Sequence, residues 1–290
     1  MGDLLYFANY AVAWIDLLGQ TQLLENIDGI PFEGDSKDDF IKALKPTFGR
    51  VRRFREVIEN IRQQLIQKGA IPKNLIKTLN KDDLAMCEKY TQPAVEMFCL
   101  ADAVMLSVNL REDTPSAPID GIYCMLDMLS LIMLTCLAAH APVRCAVDIG
   151  VCAEINKGEL YGQAVSRAHH YESKETGYPR VVIGPHLIHY LKMFDEYAMT
   201  PPITPEKKIQ RGWLSRIADK IEHDTDKKVI LAYLKGEHSK RPEFDVLTKE
   251  ASKFIDGAIA HFVSMGDAKL LPRYESLKDY FVRNKVWNGD

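Results

Sequence analysis

Asp16 and Asp102 are lone acids in apolar runs, Tyr10-Ala-Val-Ala-Trp-Ile-Asp16 and Met97-Phe-Cys-Leu-Ala-Asp102-Ala-Val-Met-Leu106. Each run reads as a buried strand. A charge in that setting is costly unless it is paired or holds a metal. Two such carboxylates on neighbouring strands can hold two divalent cations, which stabilise both oxygens of an in-line phosphoryl displacement. Either Asp alone also has an ordinary use, as a turn cap or an arginine's partner. His169-His170 and His186-x-x-His189 have helical metal spacing, but with no third ligand in sequence reach the balance favours surface histidines.

The elements that must position the acids follow from periodicity. Residues 8–17 read as a strand, and Gly19-Gln20-Thr21 opens a helix. Residues 28–38 read as a loop. From Asp39, Phe40, Leu44, Phe48, Val51, Phe54, Ile58, Ile61 and Leu65 form one apolar stripe on a long helix ending at Gly69. Its other face carries Arg50, Arg52, Arg53, Arg55 and Arg62. That face could attract nucleotide or nucleic acid, but pairing with Glu56 and Glu59 in solvent is the favoured reading. Residues 71–92 read as a short helix and a loop, 94–99 and 103–109 as strands, and Asp120 to Ala139 as a core helix. Arg144–Val151 and Gly158–Leu160 bracket a hairpin, Gln163–Thr176 a helix, and Arg180–Gly184 a strand before a helix at Pro185. Pro201–Pro205 marks a loop, Lys228–Leu234 a late strand, and Asp245–Phe262 a helix. The order β-α-β-β-α-β is ferredoxin-like, in an α+β chain.

Composition sets bounds. At 47% hydrophobic residues the chain has material for a core. A net charge of −3 offers no broad basic surface for nucleic acid. Cysteines 87, 99, 124, 136, 145 and 152 form no Cys-x-x-Cys pair and read as reduced, packed thiols of a cytoplasmic protein. No charged-then-apolar leader opens the chain. The longest apolar stretch, Met128 to Ala139, is short of the roughly 20 residues a membrane span needs, so no membrane partner is expected.

Four segments in order resemble the class III nucleotide cyclases. Asp16-Leu17-Leu18-Gly19-Gln20-Thr21 is similar to the family's Asp-Ile-x-Gly-Phe-Thr, and Ala101-Asp102 to its Gly-Asp turn. Arg144-Cys-Ala-Val-Asp-Ile-Gly150 resembles the strand opening its second half, and Leu160 to Glu172 its Gly-x-x-Val-Asn-x-Ala-x-Arg helix. Glu172 to Val182, with Tyr178-Pro179-Arg180, and Leu271 to Tyr280 further resemble the pyrimidine cyclases of the Pycsar antiphage systems.

That resemblance implies a ferredoxin-like palm over residues 1–200, with extra helices at about 39–92 between the metal strands. A C-terminal strand-and-helix extension, 201–290, would pack on the same domain. It implies two divalent cations, Mg²⁺ or Mn²⁺, held by Asp16, Asp102 and the Leu17 carbonyl, with amides of Leu18, Gly19, Gln20 and Thr21 cradling phosphates. The family's ribose Asn falls at Ser166 and its Arg at His170; Arg167 or Arg144 stands as the substitute guanidinium. The base-selecting positions fall at Phe98 and Glu159. Neither reproduces a purine pairing. A bulky Phe shortens the pocket in favour of a pyrimidine, and Glu159 can accept from an exocyclic amine; Phe98 as plain core is the equal alternative. The implied protein is a homodimeric cyclase giving cyclic UMP or cyclic CMP, which a separate effector protein reads in antiphage defence. The alternative is a cyclase-like protein that binds nucleotide or a partner without turnover. A palm-type polymerase or nuclease is a weaker third, disfavoured by the missing basic groove.

Overall fold

The computed structural model describes residues 6–25, 36–67, 80–82, 84–85, 94–110, 118–156 and 158–287. The element order opens β1 (Phe7–Leu17), α1 (Gln20–Glu25), α2 (Ser36–Gln67), β2 (Glu96–Leu100), β3 (Ala103–Asn109), α3 (Pro118–Ala138), β4 (Val143–Asn156). β2, β3, β1 and β4 lie side by side in that order, every pair antiparallel. Two crossovers, β1 to β2 and β3 to β4, each leave room for one strand between their ends. That interleaving is the ferredoxin-like sheet the sequence predicts.

The chain continues through β5 (Glu159–Gly162), α4 (Gln163–Glu175), β6 (Val181–Ile183), α5 (Pro185–Met199), α6 (Pro205–Ala218), β7 (Ile221–His223), β8 (Val229–Leu231), α7 (Pro242–Met265) and α8 (Leu271–Arg283). β6 joins β4 in parallel after the α4 crossover, and β8 and β7 extend the sheet beyond it. β5 folds back on β4 as a hairpin off this path.

Strand alternation divides the core. Ala11, Ala13, Ile15 and Leu17 of β1, with Val104 and Leu106 of β3 and Val143, Cys145 and Val147 of β4, belong to one large cluster. α3 closes it with Ile122, Met125, Leu129, Ile132 and Met133, all fully buried. Each such side chain contributes roughly 1.5–3 kcal/mol of burial. By length and composition α3 could cross a membrane, yet it is 78% buried inside the protein; its hydropathy is that of a central core helix. The opposite sheet face holds a smaller cluster of Tyr10, Val12, Phe98, Met105 and Cys152 under Ala164 and Ala168 of α4.

Several boundaries differ from expectation. α2 begins at Ser36, inside the expected loop, and runs through Pro46. Only its second half buries the stripe: Phe54, Ile58 and Leu65 are buried, whereas Phe48 is 63% exposed. The late strand is three residues, because the chain turns away at Tyr233. α6 and β7 were not foreseen; Thr204 caps α6 by accepting from the Lys207 amide, and Pro205 opens it. The expectations for residues 28–35, Gly69, most of 71–92 and Cys87 lie outside the described residues. Cys124, Cys136, Cys145 and Cys152 are buried and free, whereas Cys99 is exposed.

Candidate active site

Asp16 continues the even-numbered face of β1, after Tyr10, Val12 and Trp14, so it lies on the α4 side of the sheet. Its paired residues are Ala103 on β3 and Arg144 on β4. Directly paired residues share a face, and Arg144 Nη2 lies 3.3 Å from Asp16 Oδ2. The same nitrogen is 2.9 Å from Oε1 of Glu172 on α4. Asp102 immediately precedes Ala103, in the two-residue turn of the β2–β3 hairpin. The two acids singled out in the sequence are thus brought to adjacent strand ends.

Burial is the largest influence on Asp16 and raises its pKa; Arg144 opposes it, and the nearby charge of Asp102 raises it further. Glu172 is 2% exposed. Burial pushes its carboxyl up to about 7, against Arg144 and with help from Asp16 and Asp102. Nε of Arg144, and both amide atoms of Gln20 four residues after Asp16 in the chain, are buried without a hydrogen-bond partner among the described residues. Among those residues no group of three His, Cys, Asp or Glu could hold a metal by itself. Two carboxylates are nonetheless a fitting donor set for Mg²⁺, which is commonly bound through one or two carboxylates plus waters and substrate phosphates. The positive charge of Arg144 offsets Asp16 and Glu172.

The neighbouring loop turns sharply. The ladder between β1 and β3 stops at Asp16, while that with β4 runs on to Leu17 and Val143. Leu18 N then donates to the Pro142 carbonyl at 3.0 Å, and Gly19 takes φ +81°, which glycine adopts freely. α1 starts at Gln20. Leu18, Gly19, Gln20 and Thr21 therefore make the strand-to-helix turn the sequence predicts.

The remaining candidates divide by position along β1. Phe98 pairs with Met105, which pairs with Trp14, two residues from Asp16. It is buried in the smaller cluster and lines a groove of about 900 Å³ with Arg55, Arg62, Glu96, Cys99 and Glu154. Glu159 sits at the far hairpin, exposed and accepting from Asn156. Arg167 donates to the Ile149 carbonyl at 2.8 Å. Ile149 pairs with Ala11, five residues or roughly 17 Å up the strand from Asp16. Ser166 and His170 lie on the exposed side of α4. Ser166 and Arg167 line a second groove of about 570 Å³ with Trp14, Tyr161, Val165 and His169. Within one protomer Arg144 joins the acids; Ser166, Arg167 and Glu159 do not. His169 packs against Trp14 at 4.9 Å between ring centroids, and His186 pairs with buried Asp148 at 2.9 Å; among the described residues neither histidine pair belongs to a group that could hold a metal.

Sequence reading passed over two residues. Glu172 follows Ala164 and Ala168 at i, i+4 and i+8, so a stripe of small buried residues ending in an acid was its signal. Arg55, read as part of a solvated face, instead donates from Nη2 to the Ala101 carbonyl beside Asp102.

No family model and no curated protein matches the chain. Among solved structures it is similar to a bacterial light-regulated adenylyl cyclase at 12% identity and TM-score 0.38, covering 85% of this chain and 99% of that one. It is similar to the guanylyl cyclase Cya2 at 10% identity and TM-score 0.36, covering 63% and 78%. A third is the non-canonical dimeric guanylyl cyclase domain of the RhoGC fusion protein from the aquatic fungus Blastocladiella emersonii, at 11% and 0.32, covering 65% and 86%. At that level of likeness the fold rests on the strand order and the function on the site's own residues.

Proposed function

We propose that this chain is a metal-dependent nucleotide cyclase acting on a pyrimidine nucleoside triphosphate, UTP or CTP. The observation that carries the reading is the meeting of Asp16 and Asp102 at adjacent strand ends, beside the glycine turn at 18–21 and the Arg144–Glu172 pair. In the reaction the ribose 3′-oxygen loses its proton and bonds to the α-phosphorus, while the bond from that phosphorus to the bridging oxygen breaks and pyrophosphate leaves. Bound Mg²⁺ or Mn²⁺ would make the 3′-hydroxyl more acidic and neutralise phosphoryl charge. Asp16, Asp102 and the Leu17 carbonyl are the groups to hold it. Amides of Leu18 to Thr21 would orient the outer phosphates. Arg144, already beside Asp16, is placed better than Arg167 to meet the α-phosphate from the same protomer.

The pyrimidine preference rests on Phe98, an apolar wall two pairs from Asp16 with no group to read a purine edge. Ser166, His170 and Glu159 would serve a site shared between two protomers of a head-to-tail homodimer, in which each helix faces the other chain's acids. A cytoplasmic enzyme whose product informs a separate effector in antiphage defence is the role this reading implies.

The test is incubation with all four ribonucleoside triphosphates and Mn²⁺, with products identified by mass spectrometry. A cyclic pyrimidine monophosphate, lost in D102A, is expected. Cyclic AMP or cyclic GMP would overturn the reading of Phe98. No cyclic product, with a nucleotide-dependent rise in melting temperature, would leave a binding protein instead.

A further inference from the structure

We propose that Arg55, on the helix inserted between the two acid-bearing strands, is a positioning residue that latches the turn presenting Asp102. The inference rests on the reading of Asp102 as a metal ligand. The β2–β3 hairpin closes with only two residues, Ala101 and Asp102, since Leu100 pairs with Ala103. Two-residue hairpin loops favour turns with positive φ at the first position, where glycine or asparagine is the usual occupant. Here alanine takes φ +46°, a conformation its Cβ disfavours. The Arg55 guanidinium donates to the carbonyl of that strained residue.

Its surroundings show a built contact. Seven positions on, Arg62 donates from Nη1 to the Val95 carbonyl at 3.1 Å. Val95 and Ala101 flank β2 (Glu96–Leu100) at its two ends. Seven residues return to the same face of a helix and advance it by about 10 Å, so one face of α2 clips both ends of the edge strand. Arg62 also forms an ion pair with Glu59, whereas Nε of Arg55 is buried without a partner among the described residues. Among the described residues Arg55 thus gives its guanidinium to the turn and not to a carboxylate. Arg52, three residues earlier, is exposed and paired with Glu56, which makes it the matched control for loss of a charge.

The latch is tested by hydrogen exchange across residues 99–104 of the metal-free protein, and by Mn²⁺ titration with free Mn²⁺ read by electron paramagnetic resonance. R55A should speed exchange in the turn and weaken Mn²⁺ binding about tenfold, while R52A changes neither. A101G supplies a residue that accepts positive φ, so R55A/A101G should recover slow exchange and most of the affinity. R55K, which can still donate one hydrogen bond, should fall between. Melting curves identify any variant that fails to fold; if R55A does, R55Q replaces it in the same comparison. Unchanged exchange in R55A, or a defect that A101G does not relieve, overturns the latch. Failure of the cyclase reading looks different: wild type and D102A would bind Mn²⁺ equally, while turn exchange would still decide the role of Arg55.

Discussion

A buried acid that stays half protonated near neutrality leaves a mark on stability. The folded pKa of Glu172, about 7, lies above the ordinary glutamate value near 4.3. Between those values the folded chain binds more protons than the unfolded one, so stability must fall as pH rises through the window and level off above it. The full span corresponds to roughly 4 kcal/mol, on the order of 1.4 per pKa unit. In metal-free protein E172Q should flatten the decline in melting temperature between pH 5 and 7.5; an identical slope in both proteins would remove the assignment. Asp16 is raised in the same direction, so its charge is held at the expense of the fold. D16N and D102N should each cut turnover on the order of a hundredfold or more, with D16N melting no lower than wild type. Retained turnover in either would remove that acid from the mechanism. Asp16 and Asp102 were legible as lone charges in apolar strands. Glu172 left only the stripe Ala164, Ala168, Glu172 as a signal, a weaker one because a helical acid reads as solvated until the sheet beneath it is known.

Elements carry a second kind of information, namely how the chain after β6 is fastened. Asp224, in the β7–β8 turn, accepts from Tyr178 Oη at 2.5 Å, Arg180 Nη1 at 2.5 Å and Arg283 Nη2 at 2.7 Å. Burial opposes its charge, but these bonds and that from the Thr225 amide outweigh burial and lower its pKa to about 2. A depressed carboxylate contributes stability that is present above its unfolded pKa, near 3.9, and lost as pH falls through 2. D224N leaves the guanidinium of Arg180, 3% exposed, with Asp226 as its remaining carboxylate, and leaves Tyr178 and Arg283 with a weaker acceptor. The expected cost is about 3–5 kcal/mol, read as a drop in melting temperature, with less acid sensitivity between pH 4 and 2; a change under about 1 kcal/mol would mean the network is incidental. The Tyr178-Pro179-Arg180 segment was visible in the sequence, but its carboxylate partners Asp224 and Asp226 lie 44 to 46 positions away. Nearest-neighbour patterns do not report such contacts. α6 is the opposite case: Ile209, Trp213 and Ile217 recur at helical spacing, and the Pro-rich approach hid a signal that was present.

At the scale of the whole molecule, β1 separates two sets of residues that a cyclase would need together. Asp16, Asp102, Arg144 and Phe98 lie toward one end, and Glu159, Ser166 and Arg167 toward the other. A second copy turned end to end would join each half to its complement, giving two equivalent sites. Apolar side chains are exposed along that route, with Tyr161 at 72% and Phe7 at 64%, which is the kind of surface a partner covers. Since Tyr161 is free of the monomer's core, Y161E should keep the fold, elute as a monomer and lose product. Complementation separates a shared site from a self-contained one. D16N and S166A/H170A, each impaired alone, are mixed and allowed to exchange protomers. In a shared-site dimer half of the assemblies are mixed, and each has one intact site, so about a quarter of wild-type activity should return. If each protomer holds its own site, the mixture shows only the sum of the two residual activities, and the dimer then has no catalytic part.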